Sequence, residues 1–411
     1  MDIFIFWFLN VFIGIAIYKN NFSKKYVIFD DILFFSGGFI YYWIIPYYYF
    51  FINKQEKIYS FIDITKYTNN LDEKNKILFL IFCYIIYFIY YFVSRFVKKR
   101  IRINSLQFDK NSLFYDIATI PFLCISLIYL FTMRSQFMTG YTTDYDISKR
   151  GPLLTVSLLI FSIAIIKSRN IKFVKNWQMI LYWIIALFIL TLGTRLYFVS
   201  SILTVLAIYY TYKKRLNKYL FYLFIFFLVI VFSIIGIIRQ GNNLSTNLIL
   251  YIFLGEPLYT SYSLFSFLKL NELPWLNIPT GLIVDFINLI PTILLPKKIE
   301  LMQTLYISKY NYVSPLGAKN IFVSLMENFG LLGSLVFIML FAFFIAIINK
   351  KLKYSYYIVL GILCFSFFRD PFSISILKYL FQISLLAPIY YYCINKFFRC
   401  SIITVRKFNI K

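Results

Sequence analysis

The sequence predicts an all-α, polytopic transmembrane protein, and three observations carry that expectation. Of 411 residues, 61% are hydrophobic and only 14% charged; the mean hydropathy is +0.74; and the charges arrive in short bursts between apolar stretches long enough to span a bilayer. A soluble chain of this length would carry charge on every exposed face. The formal charge of +25 would suit nucleic acid if the cations formed a stripe, but they sit at segment ends, which argues against such a partner.

A span needs roughly 20 residues at about 1.5 Å rise. In chain order the apolar stretches are 3–18, 27–52, 77–97, 113–133, 152–167, 177–193, 195–212, 219–238, 321–349, 354–368 and 374–394, about eleven in all. The first carries Asp2 where a signal peptide would be basic, and no small-residue cleavage site follows, so it is expected to be a retained helix. The long stretch 239–320 holds two semi-apolar segments. One, 247–268, is interrupted by Gly255, Glu256 and Pro257; the other, 281–296, by Asp285, Pro291 and Pro296. Both read as interfacial or re-entrant helices. With no internal repeat and no Gly/Ser linker, 1–411 reads as a single membrane domain with one large loop.

Orientation follows from the cations. One set of short loops and the C-terminal tail carry 24 Lys and Arg against 4 acids, whereas the opposite side has 17 cations over longer loops with 13 acids. Basic short loops face the cytoplasm. The expected topology is therefore N-terminus out, C-terminus in, with 239–320 as the outer loop.

Several chemistries are excluded by absence. There is no histidine, hence no His-based triad, no HExxH zinc site and no His proton relay. No Walker loop, GxGxxG unit, CxxC pair or DxD-like cytoplasmic nucleotide site occurs, and no cofactor or metal is expected. None of the five cysteines, Cys83, Cys124, Cys364, Cys393 and Cys400, falls in an expected outer loop, so disulfides are not expected.

The arginines form the informative pattern. Arg is the minority cation, 12 against 30 Lys, yet all five expected outer arginines, Arg134, Arg150, Arg195, Arg239 and Arg369, lie at or near segment ends. Measured from the nearest cytoplasmic cation, Arg369, Arg150, Arg195, Arg239 and Arg134 lie about 24, 26, 27, 32 and 36 Å along their helices. These values bracket the roughly 30 Å hydrocarbon thickness. A belt of guanidiniums at one depth suits either headgroup snorkelling or bidentate capture of a lipid-linked diphosphate. Arg195 stands out because it occupies a tight Gly-Thr-Arg turn where no loop demands a cation.

Among the carboxylates, Glu327 falls about 34 Å from Lys350 on the same ruler. Its helix is expected to start with Ser314 as cap and Pro315 at the first position. Beside an arginine, Glu327 suits a general base or a salt-bridge partner; Asp285 and Glu256 stand behind it. Asp370, between Arg369 and Pro371, suits a helix end, and for Asp30 and Asp31 interfacial solvation suffices.

Three segments carry a resemblance: GTRLYFVSSILTVLAIYY from Gly193, IIRQGNN from Ile237, and SLMENFGLLGSLVF from Ser324. With the helix number and the position of the long loop, the chain resembles the bacterial O-antigen polymerases, the repeat-unit polymerases of lipopolysaccharide and capsule assembly. The resemblance implies a metal- and nucleotide-independent glycosyltransferase in the inner membrane, acting at its outer face on undecaprenyl-diphosphate-linked oligosaccharides. A chain-length regulator is the implied protein partner. It implies that Arg195 and Arg239, with Arg150, Arg369 and Arg134 around them, hold the substrate diphosphate, and that Glu327, Asp285 or Glu256 deprotonates the acceptor hydroxyl.

O-antigen ligases resemble the chain around the long loop, but that family is expected to use a histidine there. The Arg-x10-Gly pattern of some polymerases is also missing, since Leu206 and Leu250 stand eleven residues after Arg195 and Arg239. Two alternatives remain: a flippase or other transporter of lipid-linked oligosaccharides, expected to show duplicated halves, discontinuous helices and charge at mid-depth, and a non-catalytic membrane scaffold, which would not need arginines aligned at one depth.

Overall fold

A computed structural model describes residues 2–23, 26–52, 57–59, 62–63, 65–68, 71–100, 112–134, 147–168, 176–191, 195–212, 217, 219–223, 226, 246–290, 294–305, 310–314 and 319–408. These residues are helical apart from connecting segments and one short antiparallel pair of strands, Lys57–Tyr59 with Ile62–Asp63. Among the described residues four helices are long and apolar enough to cross a bilayer: Asp2–Phe22, Glu73–Arg100, Phe114–Thr132 and Ile321–Lys351. On the first, Phe4, Trp7, Phe8, Val11, Phe12 and Ile15 are all exposed, Phe4 to 74%. An apolar face of that extent is stable against lipid rather than water, and the protein is membrane-embedded.

Helices Ser112–Thr132, Ile147–Lys167, Trp177–Thr191 and Arg195–Tyr212 lie where the hydropathy pattern puts them. The segment 27–52 begins as helix Asp31–Phe39 and continues through alternating π-helical and α-helical turns to Ile52. Most of 219–238 lies outside the described residues.

The chain divides into two compact units. The first comprises Met1–Ile101, Leu206–Ala346 and Leu360–Leu377; the second comprises Arg102–Val205, Ile347–Val359 and Lys378–Lys411. The first unit has an aromatic core. Phe35 stacks on Tyr90 at 3.8 Å between ring centroids and meets Phe368 at 5.1 Å; Phe341 stacks on Phe367 at 4.6 Å. Gly38 permits this approach, since a Cβ there would collide with the Phe368 ring. In the second unit, Phe114, Tyr115, Ala118, Ile163, Ile166 and Tyr391 form a buried cluster in which Tyr115 stacks on Tyr391 at 4.1 Å. Asp116 of that unit accepts from Lys167 Nζ at 2.7 Å, Trp177 Nε1 at 2.6 Å and Gln178 Nε2 at 2.6 Å.

Four local features depart from the sequence expectation. Helix Thr246–Leu270 runs unbroken through Gly255, Glu256 and Pro257. Leu258, Leu264, Phe265 and Phe267 beyond the proline are buried, and that packing outweighs the ~3 kcal/mol cost of an interior proline. Glu327's helix starts at Ile321, not at Pro315. Asn320 caps it, its Oδ1 accepting from the Phe322 amide at 3.1 Å, while Ser314 is non-helical and 315–318 lie outside the described residues.

Third, this helix is two helices joined at Gly330, whose φ of 68° and ψ of −174° break the spiral. A ruler laid from Lys350 to Glu327 therefore bends. The break is stitched to an extended neighbour: Asn277 N–H donates to Phe329 O at 3.1 Å, Leu331 N–H to Pro274 O at 2.8 Å and Leu332 N–H to Trp275 O at 3.0 Å. Asn277 Nδ2 reaches the Glu327 and Met326 carbonyls at 3.0 and 3.3 Å, satisfying orphan acceptors at the end of the first helix. Asn328 Oδ1 accepts from Leu282 N–H at 2.9 Å at the start of helix Thr280–Leu289. Asp285 lies inside that helix rather than interrupting it, and the helix ends just ahead of Pro291, as a proline requires.

Fourth, Asp31 is not solvated. It is fully buried, ion-paired with Lys98, and accepts from Ser94 Oγ at 2.5 Å and Tyr90 OH at 3.2 Å. Asp30 caps helix Asp31–Phe39 at Leu33 N–H, 3.1 Å, and pairs with Lys98 at 2.9 Å. A carboxylate removed from water needs such a countercharge.

Candidate functional site

In the first unit one helix face builds a ledge. Ser263, Ser266 and Asn271 lie along helix Thr246–Leu270 and just past its end. Ser263 Oγ accepts from Asn320 N–H at 3.0 Å, Ser266 Oγ from Val313 N–H at 2.9 Å, and Asn271 Oδ1 from Asn311 N–H at 3.0 Å. The ledge thus fixes 311–314 and 319–320 against the helix that carries Glu256.

Two ion pairs result. Arg369 Nε lies 2.8 Å from Glu256 Oε1, with side chains 31% and 40% exposed. Lys319 Nζ pairs with Glu327 Oε2, and both side chains are mostly buried. Tyr312 OH stands 3.5 Å from the same Glu327 oxygen, and Lys319 Nζ lies 5.3 Å from the Tyr312 ring centroid. Burial disfavours the Lys319 ammonium, but the Glu327 carboxylate outweighs it and holds the amine above the ordinary lysine pKa. The pairs are joined through the main chain: Lys319 N–H donates to Arg369 O at 2.9 Å.

Arg369 also approaches Asp370, Nη1 to Oδ1 at 3.5 Å, and Ser366 Oγ donates to Asp370 Oδ2 at 2.5 Å. Beneath them is Tyr42, 1% exposed. Its hydroxyl feels the charges of Glu256, Arg369 and Asp370 and has no hydrogen-bond partner among the described residues. The Tyr42 carbonyl accepts from Asn320 Nδ2 at 3.4 Å, tying the tyrosine to the same assembly.

Of the carboxylates expected from sequence, Glu256 and Glu327 belong to this cluster. Asp285 is half-buried on helix Thr280–Leu289. Of the arginines, Arg369 is in the cluster. Arg134, in the second unit, is exposed and lies over the Phe131 ring at 4.6 Å. Arg150 and Arg195 lie in the first turns of helices Ile147–Lys167 and Arg195–Tyr212, but their side chains, and Arg239 entirely, lie outside the described residues. Lys319, Tyr312 and Tyr42 escaped the sequence reading. Lys319 and Tyr312 meet Glu327 only eight and fifteen residues on, but the ledge that brings them together comes from 263–271, and Tyr42 lies far from all of them in sequence.

Chemically, the cluster offers one accessible carboxylate oriented by a guanidinium, a second carboxylate neutralised by a buried ammonium, and a free phenol. Among the described residues no group of three His, Cys, Asp or Glu is placed to hold a metal ion. No protein-family model matches the chain, nor does any curated protein or solved structure.

Proposed function

We propose that the chain is a surface-polysaccharide polymerase of the O-antigen type, a glycosyltransferase of about eleven spans in the bacterial inner membrane, N-terminus out. It joins undecaprenyl-diphosphate-linked repeat units at the outer face. The growing glycan passes from its lipid carrier to a hydroxyl of the incoming unit: the new glycosidic bond forms, the bond to phosphate breaks, and undecaprenyl diphosphate leaves with the electron pair. The observation that carries this reading is the Glu256–Arg369 pair, a partly open carboxylate held in place by a guanidinium.

Glu256 is the base that takes the acceptor proton. It is three times as exposed as Glu327, 40% against 13%, and a base must reach the hydroxyl it deprotonates. Arg369 orients Glu256. While it does so its fork is not free for phosphate, so the departing diphosphate falls to Arg195 and Arg239, with Arg150 in support.

A lipid-linked oligosaccharide transporter is the second reading, favoured by the helix discontinuity at Gly330, a device transporters use. Replacing the gene copy with Glu256→Gln or Arg369→Ala and resolving the surface glycan by size separates the two. Polymerase predicts a surface glycan of one repeat; transport predicts no repeat at the surface; a normal ladder from both variants refutes either role for the pair.

A further inference from the structure

The phenol of Tyr42 is buried in the cluster without a hydrogen-bond partner among the described residues. Leaving a buried hydroxyl unpaired is costly, and native folds tolerate it chiefly where a ligand or water completes the bond. Tyr42 is 1% exposed and its ring stacks at 6.4 Å on Phe368, the neighbour of Arg369, while Glu256 and Arg369 are 40% and 31% exposed.

The chemistry of the rim decides what belongs there. Arg369 is already engaged by Glu256 and Asp370, and Lys319 by Glu327. These five groups comprise two cations and three carboxylates, so a phosphate seated on Tyr42 would face carboxylate charge with no free guanidinium. A neutral hydroxyl suits the place, donating to a carboxylate while accepting from a phenol.

We propose that Tyr42 OH, with Glu256 and Arg369, forms a hydroxyl-binding subsite for the sugar end of the ligand. Tyr42 donates to a sugar oxygen; Glu256 accepts from the same or the adjoining hydroxyl; Arg369 fixes the carboxylate. Tyr42 is a binding and positioning residue, separate from the group that removes the proton. The inference rests on the polymerase reading for the identity of the sugar-bearing lipid.

The test compares the full chain and its Tyr42→Phe variant in lipid nanodiscs. Equilibrium binding is measured with two probes, undecaprenyl-diphosphate-linked oligosaccharide purified from cells lacking this chain, and undecaprenyl diphosphate without sugar. The expected result is about tenfold weaker binding of the sugar-bearing lipid by the variant, the worth of one hydrogen bond. Binding of the bare lipid stays unchanged, and the unfolding temperature is unchanged or higher, because no partner is lost from the empty protein. The subsite is overturned if the variant loses both probes alike, loses neither, or unfolds at a lower temperature. A wild-type chain that binds neither probe refutes the polymerase reading itself, a result distinct from all of these.

Discussion

The backbone N–H of Lys319 donates to the carbonyl of Arg369 at 2.9 Å. Through this bond the partly open pair Arg369–Glu256 and the buried pair Lys319–Glu327 share one scaffold, although fifty residues of chain separate the two cations. The pairs differ in exposure, and exposure predicts different consequences of neutralising each carboxylate.

Glu256→Gln is expected to leave the amount of folded protein unchanged and to slow polymer formation by about 100-fold or more, the contribution of a positioned base. Glu327→Gln is expected to do the reverse, stranding the Lys319 ammonium at a cost of about 3 kcal/mol. Unfolding temperature alongside the glycan ladder checks both; an unstable Glu256→Gln protein would contradict the assignment.

Lys319 makes stability depend on alkaline pH. Its pKa is raised in the folded chain, so its contribution is complete below the unfolded lysine value, about 10.4, and is lost as pH rises through the higher folded value. Unfolding temperature measured from pH 9 to pH 12, a range chosen about that value, should fall more steeply for the wild type than for Lys319→Arg, whose guanidinium stays charged throughout. Parallel curves would contradict the pairing.

Gly330→Ala should lower the unfolding temperature. At φ 68° a Cβ is strained, and it would meet Leu276 N at 2.7 Å and the Trp275 carbonyl carbon at 2.8 Å; backbone strain alone is worth about 1–3 kcal/mol. Asn277→Ala should cost about 1–3 kcal/mol by freeing two helix-end carbonyls. Because the two changes disturb one joint, their effects should not add.

Lys98→Met takes from buried Asp31 and neighbouring Asp30 the ammonium they share, at a cost of about 3–5 kcal/mol. Adding Asp31→Asn removes the offending charge, and the double variant should unfold at a higher temperature than Lys98→Met alone.

Much of this arrangement is legible in the sequence. Length and hydropathy place the helices from Asp2 to Tyr212 because a spanning segment is a local, composition-driven object. The break at Gly330 is not legible, because the segment reads as one continuous helix and the extended stretch that stitches the break comes from residues 274–277. The continuity of the helix through Pro257 is not legible either, since the packing of Phe265 and Phe267 that overrides the proline comes from elsewhere in the chain. The fate of Asp31 is invisible for the same reason: Lys98, Ser94 and Tyr90 lie more than fifty residues away. Of the cluster, sequence supplies Arg369 at a segment end, Glu327 at the outer depth of its helix and Glu256 as a break within 247–268, but their pairing, and the parts of Lys319 and Tyr42, exist only once the chain is folded.

Residues 274–277 lie against the Gly330 joint like a seam. Swinging them aside would strip three amide–carbonyl links and two side-chain ones together, each worth about 1 kcal/mol. A movement that parts this stretch from the helix must therefore break those five bonds at once, so the joint at Gly330 and residues 274–277 travel as one piece.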